Sequence, residues 1–300
     1  MSDIFLHHYA ASPWAEVVRL ALGLKGLEWH SVETPSVMPK PRLAVLTGGY
    51  ARIPVLQIGA DIFCDTAAIM EALEAIAPEP TLFAGDGQCA LAAQAQGPLF
   101  FAAVAAALDG MPMRGMEAFW ADREKRFGMQ PDGFKAMTPG MTAMFGAHLD
   151  SLDQRLGDGR AFLCGDTVGH GDLAHYQLLW FQDVQGPGGV ARHTGGRPHL
   201  AGWARRVAAI GHGVRRESDA DAAIAAASAV QPAPLTGFAA AEGFSAGQRV
   251  LVSQEGTTDA AVEGTLALLN GTRIVLRRID PEAAEVAVHF PRAGQILRAA

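Results

Sequence analysis

The chain has 300 residues, 49% of them hydrophobic, and a formal net charge of −7. That length admits two or three domains with a sizeable core. Its basic residues pair only briefly, at Arg205-Arg206, Arg215-Arg216 and Arg277-Arg278, which argues against a nucleic-acid-binding face.

The opening MSDIFLHHYAASPWAE has no basic segment leading into a long apolar core, so no secretory leader is expected. Residues 4–6 read as a short buried strand. Pro13 suits the first helical position, where its missing N–H costs nothing. Trp14, Val17, Val18, Ala21 and Leu22 then recur at helical spacing, and Gly26 ends the helix. Residues 27–33 alternate as a strand, so a parallel pair with a right-handed crossover is expected. TPSVMPKP is a proline-rich connection. IPVLQIGADIFC reads as two short strands around Gly59-Ala60. DTAAIMEALEAIAP reads as a helix stopped near Pro78. These elements define a first domain, residues 1–80.

A helical domain follows over residues 88–230. Its candidate helices are 88–108, 141–156, 172–184, 198–210 and 219–227, with an irregular or broken helical stretch over 112–134. The longest apolar run, ALAAQAQGPLFFAAVAAALDG, is broken by Gln94, Gln96 and Pro98, and a membrane helix needs ~20 unbroken residues. No membrane partner is expected. AVQPAPLTGFAAAEGFSAG is a linker. Beyond it, QRVLVS, AAVEGTLALL, TRIVLRRI and EVAVHF read as strands, with turns at Glu255-Gly256, Asn270-Gly271 and Asp280-Pro281. Residues 243–300 therefore read as a small antiparallel β-barrel or sheet. It is too short for a large core of its own and is expected to pack on the helical domain or across a dimer, without catalytic groups. His289 and Arg292 read as strand-end surface groups. The fold class is thus α/β plus all-α, with the small β module at the C-terminus.

Three motifs carry the chemistry: YAASPWAEVVRLAL after the first strand, GGYARIPVLQIG before the hairpin, and FCDTAAIMEAL opening the next helix. In this order, and followed by a helical segment, they resemble the thioredoxin-like N-terminal domain of the glutathione transferase superfamily. FLCGDTVGHGDLAHY resembles that family's helix-start signature in the second domain. The resemblance spans roughly residues 4–227 and leaves out the C-terminal strands.

The resemblance implies a thioredoxin-like site for glutathione as co-substrate. It implies a cis Ile53-Pro54 bond, which would free the backbone of Val55 to pair with a peptide-like ligand as an added strand does. Asp65 would receive the γ-glutamyl ammonium. Thr66 and the helix N-terminal amides would take its carboxylate. The family usually has Glu-Ser there, and Asp-Thr keeps the chemistry with one shorter arm. Arg52 would assist at the glycyl carboxylate. Ser12 would donate to the glutathione sulfur, lowering a thiol pKa that is ordinarily ~8.5, helped by the helix dipole. Tyr9 is a rival for that role.

Position 12 holds no cysteine, which counts against thiol-disulfide exchange there. Cys64, Cys89 and Cys164 are widely spaced and form neither a disulfide framework nor a zinc pattern, pointing to a reducing, cytoplasmic setting. Cys64 reads as a core residue. Asp172 reads as structural, holding a helix start whose cap place is taken by Gly169. His170 and His175 are five apart, not four, and His7-His8 has no carboxylate partner nearby in sequence, so no metal is assigned.

The expected protein is a serine-type, homodimeric glutathione transferase acting on an apolar electrophilic small molecule. Trp14, Met111, Met113, Met116, Phe119 and Trp120 are candidates for the apolar wall. Two other readings stay open: a non-catalytic scaffold with the β module as docking unit, and a glutathione-dependent lyase or reductase. A chain ending near Ala233 is expected to keep glutathione binding.

Overall fold

The computed structural model describes residues 3–110, 115–238 and 243–300. Met111 and Met113, two of the apolar-wall candidates, lie outside the described residues. The first domain runs β1 (Ile4–His8), α1 (Pro13–Leu24), β2 (Glu28–Glu33), α2 (Pro41–Thr47), β3 (Val55–Ile58), β4 (Asp61–Cys64) and α3 (Thr66–Ile76). Helices α4 (Gln88–Gln94), α5 (Gly97–Leu108), α6 (Glu117–Phe127), α7 (Pro131–Leu156), α8 (His170–Gln185), α9 (Gly189–Thr194) and α10 (Pro198–Ala208) follow. The chain then forms β5 (Val214–Ser218), α11 (Ala220–Ser228), β6 (Arg249–Gln254), β7 (Val262–Leu269), β8 (Arg273–Asp280), β9 (Ala284–Pro291) and β10 (Gln295–Ala299).

β1 pairs parallel with β2 and antiparallel with β3, and β3 pairs antiparallel with β4. The four strands that the sequence pattern indicates are therefore present. Their two edges are not left open. On one side β5 runs parallel to β2, from Glu28 opposite Val214 to Val32 opposite Ser218. On the other, β9 runs parallel to β4, with Asp61 opposite Ala287 and Phe63 opposite His289. The result is one sheet in the order β10-β6-β7-β8-β9-β4-β3-β1-β2-β5. An edge strand presents unpaired N–H and C=O groups, and each edge of the first domain is closed by strands from beyond the helical domain.

The expectation that the C-terminal strands pack on the helical domain holds at the loop after β6, where Asp259 pairs with Arg126 of α6, but it misses their main partner. They form the antiparallel ladder expected of them but continue the first domain's sheet. β5 and α11 likewise belong beside that sheet, although in sequence they follow the helices. The chain reaches β5 through a tight passage. A Cβ on Gly213 (φ +68°) would lie 2.5 Å from Leu27 O, and one on Gly23 would lie 2.1 Å from Gly211 O. Only glycine allows that approach.

His289 is also corrected. It is 3% exposed, stacks on Phe63 at 4.4 Å and pairs through Nε2 with Asp61 Oδ1 at 2.8 Å. The other Asp61 oxygen accepts from Ala233 N at 2.8 Å. This histidine thus sits at the junction of β4, β9 and the linker, not on the surface.

Two core clusters result. One joins α1, β1 and α3 to the helical domain through Leu6, Leu20, Ile69, Phe145, Leu178 and Trp203. The other joins Leu43, Leu46, Tyr50, Val55, Ile62 and Cys64 to Val250, Leu266, Ile274, Leu276, Val288 and Phe290. Cys64 is buried within it, as the sequence reading expects.

In the helical domain the apolar run over 88–108 is broken into α4 and α5, bent by 52°. Pro98 opens α5, where a missing N–H is harmless. Among the described residues no single helix is long and apolar enough to cross a membrane. The stretch expected to be irregular or broken helix contains α6 and the start of α7. α7 begins ten residues before the expected 141 and runs through Pro139.

Asp172 anchors the start of α8. Its carboxylate accepts from Leu163 N at 2.8 Å, Gly169 N at 3.1 Å and Trp203 Nε1 at 2.7 Å. Asp172→Ala leaves three buried donors without an acceptor, and one such group costs about 1–3 kcal/mol. We expect a loss of about 3 kcal/mol, read by urea unfolding; a loss below 1 kcal/mol would show that water replaces the carboxylate.

Candidate functional site

The strand register brings the three sequence motifs to one end of the sheet. His7 stands opposite Val55, and Val55 opposite Cys64. The chain therefore leaves β1 toward Tyr9 and Ser12, enters β3 from Ile53-Pro54, and leaves β4 into Asp65-Thr66, all at the same edge. Adjacent strands are about 4.8 Å apart, so these segments lie within reach of one small ligand.

Ser12 is the N-cap of α1, with φ −75° and ψ 118°. Its Oγ accepts from Ala15 N at 3.2 Å, and its N–H donates to Tyr9 O at 3.0 Å. Accepting the capping bond leaves the hydroxyl's own proton available for donation. The Tyr9 side chain lies close enough to that of Ser12 for the two to interact, so the two rivals stand together. Burial raises the Tyr9 phenol above its ordinary value, against opposing pulls from Arg123, Ser12 and Arg126. Tyr9 is thus a protonated donor at neutral pH.

The Ile53-Pro54 bond is cis. Val55 is the first residue of β3 and lies between β1 and β4, whereas Ile53 precedes the strand and stands outside both ladders. Asp65 has φ +79°, a conformation that costs a non-glycine residue about 1–3 kcal/mol and concentrates at functional sites. It caps α3 by accepting from Ala67 N at 3.0 Å. Burial raises its carboxyl, opposed by the Ala67 N–H and by Arg52. Thr66 opens α3 and is buried. Arg52 directs Nη2 to Glu255 O at 3.4 Å, and Tyr50, two residues before it, is buried in the same core cluster as the β6 residues Val250 and Val252. The last residues of β6 and the loop behind it thus border this edge of the site.

Lys40 escaped the sequence reading. It sits at the N-cap of α2, a helix of seven residues hidden in the proline-rich connection. Its side chain is buried, and burial together with Arg126 lowers its ammonium to about 8. Asp122 and Arg126 of α6 lie nearby, and nothing in the local pattern marks them. Of the apolar candidates, Trp14 packs at a tilt against Phe100 at 5.7 Å, and Phe119 carries the Arg123 guanidinium at 4.4 Å. Met116 stands at the N-cap of α6. Trp120 is 5% exposed, wedged between Phe119 and Phe134, and is a core residue.

The fold and this edge define a two-domain class, a thioredoxin-like domain with an all-helical domain behind it. Residues 6–81 match the family described as glutathione S-transferase, N-terminal domain, and residues 102–206 match glutathione S-transferase, C-terminal domain. The chain belongs to the glutathione S-transferase superfamily. It is 36% identical to a GST-like protein from Pseudomonas syringae over 100% of both chains, with a TM-score of 0.80. The shared length includes the C-terminal strands.

Two more distant structures share the fold. The beta-etherase LigF from Sphingobium is 15% identical with a TM-score of 0.53, covering 69% of this chain and 95% of its own. A glutathione S-transferase from Rhodospirillum rubrum is 22% identical with a TM-score of 0.51, covering 68% and 87%. No curated protein matches the chain.

Proposed function

We propose that the protein binds glutathione at this edge and uses it as co-substrate, adding its thiolate to an apolar electrophile. The observation that carries the reading is the Tyr9–Ser12 pair of hydroxyls at the N-terminus of α1, aligned by strand register with Ile53 and Asp65. A thiolate placed there meets hydroxyl donors and the positive end of a helix, both of which favour the ionised sulfur. Ile53, outside the ladders, is better placed than Val55 to pair its backbone with the cysteinyl unit. Asp65, Thr66 and the first amides of α3 suit the γ-glutamyl end. Lys40 suits the glycyl carboxylate in place of Arg52, whose guanidinium is turned to Glu255 O. Trp14, Phe100 and Phe119 offer the apolar wall. A homodimer is supported by Met137 and Met144, both exposed and seven residues apart on α7.

Calorimetry with glutathione tests the reading. Asp65→Ala should weaken binding by about 1.5–3 kcal/mol, the loss of a charge-assisted hydrogen bond; unchanged affinity in that variant would remove Asp65 from the site. Ser12→Ala should lower turnover of an aryl halide more than affinity, and an ultraviolet titration should show a raised thiol pKa. A shift seen with Tyr9→Phe and not with Ser12→Ala exchanges the two roles.

A further inference from the structure

The C-terminal sheet contributes, through one of its loops, a charged group to the cluster around Lys40. Three cations, Lys40, Arg123 and Arg126, share this region with two carboxylates, Asp122 and Asp259. Asp259 lies in the loop between β6 and β7. Its two oxygens accept from Arg126 Nε and Nη2 at 2.7 and 2.8 Å, and both side chains are 7% exposed. Thr258 fastens the same loop to α6, donating Oγ1–H to Lys125 O at 2.6 Å and N–H to Arg126 O at 3.1 Å. Asp122 accepts Met38 N on one oxygen, and Arg123 and Arg126 on the other.

Lys40 is left over. It is 4% exposed, and its Nζ meets Met38 Sδ at 3.6 Å. No carboxylate among the described residues lies within ion-pair distance of it. Three cations against two carboxylates leave one positive charge, and it rests on a buried ammonium. Burying an unpaired charge is costly, and one anionic group on the ligand would offset that cost.

We propose that Asp259 makes this a pocket for a single carboxylate. Resting on the glutathione reading, Lys40 receives the glycyl carboxylate, while Asp259 occupies Arg126 and keeps a second cation from the ligand. A third residue carrying two carboxylates is thereby refused. Asp259 is a positioning residue, and the C-terminal sheet sets the specificity of a site that the first domain builds.

The test is calorimetry on the full chain with glutathione, its glycyl monoethyl ester and γ-glutamyl-cysteinyl-aspartate. The unaltered protein should bind the ester and the aspartyl peptide each about tenfold more weakly than glutathione, a size set by one charge pair in a partly buried site. Asp259→Asn should bring the aspartyl peptide to within about threefold of glutathione. Asp259→Glu should restore the original order. The double variant Asp259→Asn with Arg126→Gln, which returns the pocket to one positive charge, should restore it as well and stays informative if the single variant melts early. Equal binding of glutathione and its ester by the unaltered protein overturns the proposal. So does an unchanged order in a folded Asp259→Asn variant. Failure of all three peptides to bind overturns the glutathione reading itself and the proposal with it.

Discussion

A chain ending at Ala233 will not fold to the native first domain. Its loss removes β9 from β4 and leaves the Asp61–Phe63 stretch as an open edge. It also strips one side from the second core cluster. Leu43, Leu46, Tyr50, Val55 and Ile62 are each at most 4% exposed and pack on Val250, Leu266, Ile274, Leu276, Val288 and Phe290. Burying one such side chain is worth about 1.5–3 kcal/mol. Half of that lost at five positions already amounts to about 4–7 kcal/mol, against a total stability of about 5–15 kcal/mol. The Asp61 carboxylate loses His289 as well. We expect aggregation or a circular dichroism spectrum without a cooperative melt. A soluble truncation with a native near-ultraviolet spectrum and intact glutathione binding would restore the view of the strands as a separable appendage.

Acid will unfold the protein well above the carboxylate range. His7, His8, His170 and His175 are each at most 6% exposed. Burial lowers them to about 4, 3, 4 and 3, respectively, from 6.5. For His8 the nearby Arg19 adds to the effect, and for His175 the stacked His148, 3.1 Å away through Nε2 and Nδ1, does the same. The sign follows from proton counts. Below pH 6.5 the unfolded chain takes up protons that the folded chain refuses, so stability is full above 6.5 and falls as the pH drops toward 4. At pH 5 each such histidine costs about 2 kcal/mol. Two of the four acting in full remove about 4 kcal/mol of a total of about 5–15. Urea titrations from pH 7.5 to 4.5 should show a steadily falling midpoint, with His175→Gln flattening the slope. A midpoint independent of pH over that range would mean that these rings are already charged in the folded state.

Much of the first domain was legible locally. Pro13 behind Ser12, the alternation over residues 27–33 and the Gly59-Ala60 turn each report on neighbours in sequence, and each corresponds to an element of the structure. The candidate site was legible in the same way, because Tyr9, Ser12, Ile53 and Asp65 flank strand ends whose order the pattern gives. Lys40 was not, because α2 is seven residues long and lies among prolines. β5 was not, because VRRES has no apolar face: it pairs through its backbone and through charged side chains, Arg216 with Glu28 and Arg215 over the Trp29 ring.

Sequence by itself determined that a β-α-β, β-β-α unit is followed by helices and then by antiparallel strands, because strand and helix periods are written in residues a few positions apart. It also determined the family, through three ordered motifs. Only the tertiary structure decided that the last strands complete the first domain's sheet, that His289 is buried against Asp61 across 228 positions, and that Asp259 answers Arg126 across 133. An open β edge accepts any strand that reaches it, and a carboxylate pairs with whichever guanidinium the packing brings near. Those choices depend on how distant segments stack and not on local pattern.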